Sequence, residues 1–205
     1  MSLFEDKYKT IRTVSTGIYR EKGSRFLAFA IPVSSQEEVK TNLERFRKEY
    51  HDARHHCYSY MIGYDKSIWR SNDDGEPSGT AGKPILGQIN SNDLSNILIV
   101  VVRYFGGTLL GVGGLIKAYR SAAADSISRA EIIECTVREY YRINFPYSAM
   151  NDVMKIIKDE DLAQSEQKFE IECSLITGIN LTAKERALAR FETVENLVTE
   201  YLWTR

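Results

Sequence analysis

The sequence predicts an α+β protein in two domains, on three observations: segments of apolar and polar alternation, amphipathic stretches opened by capping residues, and a C-terminal third ordered β-α-β-β-α-β. The 205 residues are 43% hydrophobic and 27% charged, enough apolar side chains to build packed cores without disulfide staples.

Alternation in YKTIRTVSTGIYR and GSRFLAFAIPV predicts two or three antiparallel strands, with turns around Gly17 and at Glu21 to Gly23. Ser35 and Glu38 form a capping box, and Val39, Leu43, Phe46 and Tyr50 follow at helical spacing. The aromatic, alternating HHCYSYMIGY reads as a strand, and SIWRS continues the sheet before a turn-rich loop from Ser71 to Pro84. A short helix starts near Gly82, because Pro84 is tolerated in a first turn and Ile85, Leu86 and Ile89 then share a side. The continuously apolar NILIVVVRYF reads as a central strand buried on both faces. After GGTLLGVGGL, the residues Leu115, Ile116, Tyr119, Ala122, Ala123 and Ile127 carry a helix to about Ser128.

A second unit begins near Cys135, which divides the chain into residues 1–134 and 135–205. TVREYYRINF is a strand; Pro146 and Ser148 open a helix bearing Met150, Val153, Met154 and Ile157. QKFEIECSLI is another strand, preceded by a short one near Leu162 to Glu166. Thr182 and Glu185 form a second capping box ahead of Ala187, Leu188, Phe191 and Val194, and ENLVTEYLW is either a terminal strand or a helical tail. This order is that of a split βαβ, ferredoxin-like domain.

No apolar run approaches the roughly 18–20 residues that cross a bilayer, and the N-terminus lacks the profile of a secretory signal, so the expected location is cytoplasmic and not membrane-bound. The three cysteines, Cys57, Cys135 and Cys173, are odd in number and lie in apolar segments; they read as reduced thiols. Lysines and arginines number 18 against 16 acidic residues in residues 1–134, and 9 against 12 in residues 135–205. Neither part is a polycation, so contact with phosphate has to come from a local cluster.

Two stretches carry candidate chemistry. In DDGEPSGTAGKP, Asp73, Asp74 and Glu76 crowd three carboxylates into four residues, which water, basic residues or a divalent cation would have to screen. Gly79, Gly82 and Lys83 follow in a turn whose N–H groups can converge on an anion. The stretch is not a phosphate-binding P-loop of the nucleotide hydrolases, because Pro77 replaces the first glycine and Pro84 the hydroxyl residue. The second stretch, Gly106 to Gly114, holds five glycines in nine positions between a strand and a helix, which serves either anion binding or close helix packing. Its glycine spacing is not that of a dinucleotide site, yet Arg103 and Tyr104 precede it and Lys117, Tyr119 and Arg120 follow. His55 and His56 adjoin Cys57 in sequence, but successive strand residues face opposite ways, so a shared metal is not expected. No Ser-His-Asp set or serine elbow is present, leaving covalent catalysis without sequence support.

The blocks DDGEPSGTAGKP and VVRYFGGTLLGVGGLIKAYRSAA, with KGSRFLAFAIPV and HHCYSYMIG before them, resemble the signature of the IMPACT/YigZ family. The resemblance covers residues 1–134 closely and the second domain more loosely, and it is to the two-domain bacterial type without an RWD domain. It implies a first domain similar to domain IV of elongation factor G and a ferredoxin-like second domain, folds used around RNA and the ribosome. The expected function is therefore a translation-associated regulatory protein that binds RNA, a ribosome-associated partner or another phosphate-bearing ligand. The expected contacts are Gly79, Gly82 and Lys83 on one wall, and Arg103, Tyr104, Gly106, Gly107, Gly113, Lys117 and Arg120 on the other, with Arg25 as a further candidate. Two other readings stay open. One is a metal-dependent hydrolase or transferase acting on a phosphate-containing small molecule, with Asp73, Asp74 and Glu76 holding a divalent ion. The other is a protein-interaction module using the acidic second domain.

Overall fold

The computed structural model describes residues 7–204, and these gather into two compact units, one of them Tyr8–Cys135 and the other running from Thr136 onward. In the first unit the order is β1 (Lys7–Ile11), β2 (Ser15–Glu21), β3 (Ser24–Pro32), α1 (Gln36–Glu49), β4 (His55–Ile62), β5 (Ile68–Asn72), α2 (Gly82–Ser91), β6 (Ile97–Tyr104), α3 (Gly111–Ser128) and β7 (Ile132–Thr136). Strands β2-β3-β6-β4-β5 form one antiparallel sheet, while β1 pairs with β7.

The apolar run of β6 sits at the centre of that sheet, and every residue from Ile97 to Arg103 is buried. Its side chains alternate between two cores. Leu98, Val100 and Val102 pack with Tyr58, Tyr60 and the Val39 and Phe46 of α1. Ile97, Ile99 and Val101 pack with Ile85 and Ile89 of α2 and Leu115, Ala118, Tyr119 and Ala122 of α3. Burying each such large side chain contributes about 1.5–3 kcal/mol, so a strand covered on both faces is the anchor of the unit. Ser35 caps α1 as expected, accepting the Glu38 N–H at 3.2 Å, but Glu38 turns its carboxylate to the N–H of Ser34.

The expected turn at Gly17 is not there: β2 runs straight through it. A Cβ on Gly17 would stand 2.3 Å from the backbone nitrogen of Ser126, so this glycine lets the end of α3 lie on the strand. The expected turn at Glu21 to Gly23 is present, with Lys22 and Gly23 both at positive φ (46° and 80°), the geometry of a two-residue hairpin loop.

The second unit runs β8 (Arg138–Pro146), α4 (Met150–Asp159), β9 (Ala163–Phe169), β10 (Glu172–Asn180), α5 (Lys184–Glu192) and β11 (Val198–Thr204). Its sheet order β11-β8-β10-β9, antiparallel throughout, is the split βαβ arrangement. QKFEIECSLI is not one strand; it is cut by a hairpin that leaves Ile171 exposed, which lets β9 and β10 pair with each other. ENLVTEYLW ends as a strand, and α5 starts behind a 3-10 turn at Leu181–Ala183. Among the described residues, no helix is long and apolar enough to cross a membrane.

Candidate functional site

The two glycine-containing stretches do meet, and a buried ion pair joins them. Arg103, at the end of β6, donates through Nη1 to Oε1 of Glu76 at 2.6 Å, and Tyr119 of α3 donates its hydroxyl to the same oxygen at 2.7 Å. The Arg103 and Glu76 side chains are 8% and 3% exposed. The Arg103 guanidinium lies 5.5 Å from the Phe26 ring and 5.8 Å from that of Phe105, and its Nε is buried without a partner. Cys57 completes the chain, its thiol 3.3 Å from the Tyr119 hydroxyl. Burial pushes the Cys57 thiol and the Tyr119 phenol well above their ordinary values, so both stay protonated and neither is a nucleophile. Arg103 therefore does not leave the strand end to meet an anion; its charge is spent on Glu76.

The acidic loop folds on itself in the same way. Asp73 turns back so that Oδ2 accepts the N–H of Gly79 at 2.8 Å and Oδ1 accepts those of Ala81 at 2.9 Å and Gly82 at 2.8 Å. Burial works to raise the Asp73 pKa, but these three donors and the nearby Lys83 outweigh it, and the carboxyl is held below its usual value. The start of α2 is thus an anion site whose anion is the chain's own aspartate. The N–H groups of Gly79 and Gly82 are occupied, and a Cβ on Gly82 would stand 2.7 Å from the Asn72 nitrogen, so the absence of a side chain there serves close packing. Asp74 accepts the His56 N–H at 2.7 Å, and its carbonyl meets Nδ1 of His55 at 2.8 Å. The three carboxylates point to three protein partners and not to one shared ion, and among the described residues no group of three or more His, Cys, Asp and Glu is arranged to hold a metal. His55 and His56 face opposite ways, as strand alternation requires: His56 Nε2 lies 3.1 Å from the Tyr50 carbonyl, on the side of α1.

The second loop divides. Gly106 has no room for a side chain: a Cβ would come within 1.9 Å of the Gly23 carbonyl carbon, and the Gly106 N–H is given to Ser24 Oγ at 3.1 Å. Gly107, Gly111 and Gly113 have nothing within 4 Å of such a carbon, and the first two have positive φ. Leu109 at 83% and Val112 at 59% stand exposed between them, and Phe105 at 56% stands exposed just before the loop's glycines.

Of the expected cations, Lys83 and Arg120 come together. With Gly79, Pro84, Gly87, Gln88 and Ile116 they line an open depression between α2 and α3. Both are exposed, and among the described residues neither has an ion-pair partner. Lys117 leans away to Glu21, 3.8 Å distant, at the end of β2. A hydrogen bond to Tyr19 and the charge of Glu21 raise the Lys117 pKa. Arg25 and Tyr104 lie elsewhere, in a second depression, where the Arg25 guanidinium stacks 4.8 Å over the Tyr104 ring and the Tyr104 hydroxyl donates to Asp52.

Sequence reasoning missed Gly87, Arg20, Lys22 and Phe105. Gly87 lies inside α2, is exposed, and has nothing within 4 Å of a would-be Cβ, although glycine in a helix interior costs about 1 kcal/mol relative to alanine. The signal for it was a glycine inside a predicted helix; for Arg20 and Lys22 it was basic residues at a hairpin turn, and for Phe105 an aromatic residue set directly before the glycine run.

The model of the Impact N-terminal domain matches residues 22–127. The IMPACT family member YvyE of Bacillus subtilis (strain 168) is 32% identical over 143 residues, 70% of this chain and 66% of that protein. The IMPACT family member YigZ of Escherichia coli (strain K12) is 36% identical over 138 residues, 66% of this chain and 68% of that protein. A crystal structure described as that of a hypothetical protein superposes with a TM-score of 0.72 at 27% identity, covering 96% of this chain and 98% of the other.

Proposed function

The chain belongs to the IMPACT family, and from that premise we propose that it is a translation-associated regulatory protein whose first unit binds RNA through its phosphates. The supporting observation is the depression between α2 and α3, where Lys83 and Arg120 stand on different helices, exposed and without an ion-pair partner among the described residues, over the bare backbone of Gly87. Two cations from separate segments beside an exposed glycine suit a phosphodiester, which brings charge and can approach the backbone there. Gly107 and Gly113 leave the neighbouring loop open, while Lys117 leans away to Glu21. Arg103, Gly79, Gly82 and Gly106 act in this reading as the frame that holds the two helices, for the reasons of burial and backbone approach given above.

Binding of RNA to the whole chain, titrated across salt, tests the proposal. Each phosphate contact to a single strand contributes about 0.7 to the slope of log K against log salt, so Lys83→Ala with Arg120→Ala lowers it by about 1.4. An unchanged slope and affinity in that variant would refute the assignment of this surface.

A further inference from the structure

The second depression of the first unit is built differently from the one between α2 and α3, and its construction specifies a ligand. It is lined by Arg20, Glu21, Lys22, Gly23, Ser24, Arg25, Tyr104 and Phe105, with a volume of about 540 Å³, inside the roughly 300–1,000 Å³ of small-ligand sites. Arg20, Lys22 and Arg25 are exposed, and among the described residues none has an ion-pair partner. The single carboxylate in the wall, Glu21, is already engaged, by the Tyr19 hydroxyl at 2.5 Å and by Lys117. Tyr104 carries the Arg25 guanidinium on its face, so a flat cationic surface continues the ring. Phe105 has more than half its surface open, and its ring makes no aromatic pair among the described residues. The hairpin tip at Lys22 and Gly23 is seated on Gly106, where backbone approach leaves no space for a methyl group, so the backbones that carry the cations and the rings are held together before any ligand arrives.

Resting on the RNA-binding reading above, we propose that this hairpin depression takes an unpaired nucleobase of single-stranded RNA, stacked on Phe105 and the Arg25–Tyr104 pair, with its flanking phosphates on Arg20 and Lys22. Flat rings with cations around them match a base with a phosphate on each side, because stacking gives sequence-tolerant affinity and the cations follow the backbone. A duplex cannot use the rings, since its base faces are covered by their neighbours. Helix α3 passes between the two depressions: Ile116 and Arg120 line the first, and Lys117 reaches toward Glu21 at the rim of the second.

The test uses the whole chain and a single-stranded RNA decamer carrying 2-aminopurine, with duplex RNA of the same sequence as competitor. Binding quenches the 2-aminopurine fluorescence as the base stacks, and duplex competes weakly. Phe105→Leu keeps an apolar side chain but removes one of the two stacking surfaces; it reduces the quench and weakens binding about tenfold, while Phe105→Tyr restores both. Arg20→Ala with Lys22→Ala lowers the salt slope by about 1.4 and leaves the quench in place at saturation. If Phe105→Leu binds and quenches like the parent, or duplex competes as well as the single strand, the base site is overturned while the Lys83 and Arg120 reading stands. If Lys83→Ala with Arg120→Ala has no effect but Phe105→Leu does, the reverse holds. Failure of every single strand to bind the parent protein removes both.

Discussion

The loop of residues 73–84 and the loop of residues 105–114 both carry glycines, three in the first and five in the second, but the first holds three carboxylates and the second none, and they end in opposite states. In the first, the carboxylates and the N–H groups they meet are used internally, and of the charged side chains only Lys83 is left exposed for a partner: Asp73 fills the anion site at the start of α2, Glu76 is buried against Arg103 and Tyr119, and Asp74 holds the chain at His56. In the second, Gly106 is consumed by packing and Gly114 lies close against Leu110, while Gly107, Gly111 and Gly113 stand open among exposed apolar side chains. The difference comes from the carboxylates. A loop that carries its own anions can satisfy its own N–H groups, whereas one that carries none leaves the backbone at its open glycines to a partner.

The sharpest way to break the comparison is to remove the carboxylate that locks the first loop to the second. Glu76→Ala leaves Arg103 buried without its counter-ion and Tyr119 without its acceptor, and costs about 3–5 kcal/mol, read from urea unfolding. A loss below about 1 kcal/mol would mean that the first loop is no more committed to the frame than the second.

Asp73→Asn is the next largest change. It keeps the shape but gives up the charge on the acceptor of three N–H groups, and costs about 1–2 kcal/mol at neutral pH. Because folding lowers the Asp73 pKa, its stabilisation is complete above the ordinary value of 3.8 and is lost as the pH falls through the lower folded-state value. The parent protein should therefore lose stability more steeply than Asp73→Asn on the acid side of that value, and the two curves should run parallel above it. Curves that stay parallel through the acid range would show that the aspartate is not the internal anion.

Much of this was legible in the sequence, and the boundary of what was not has a physical origin. Periodicity located β6, α1 and the βαββαβ order because burial of apolar faces follows local spacing. The turn at Gly17 was misplaced because that glycine answers to Ser126, far along the chain. The strand at QKFEIECSLI was split by pairing between β9 and β10, which no local pattern encodes. At the site, Lys83 and Arg120 were found as cations near glycines. That Arg103 would be neutralised by Glu76, and that Asp73 would occupy the nest ahead of Lys83, depends on which way a side chain turns once the sheet has formed.

Gly87 gives the smallest expected effect and the most discriminating one, because stability and binding should move in opposite directions. In Gly87→Ala the helix gains propensity, and the new methyl group meets nothing within 4 Å, so stability rises by about 0.5–1 kcal/mol. The same methyl group enters the depression that Gly87 lines together with Lys83 and Arg120, where it hinders the close approach of a phosphate and weakens RNA binding severalfold. A variant both more stable and a weaker binder would show that this glycine is kept for approach to a ligand, as the open glycines of the second loop are. A variant more stable and equally avid would assign the depression to plain surface, and would leave the 105–114 loop as the only part of the comparison that faces a partner.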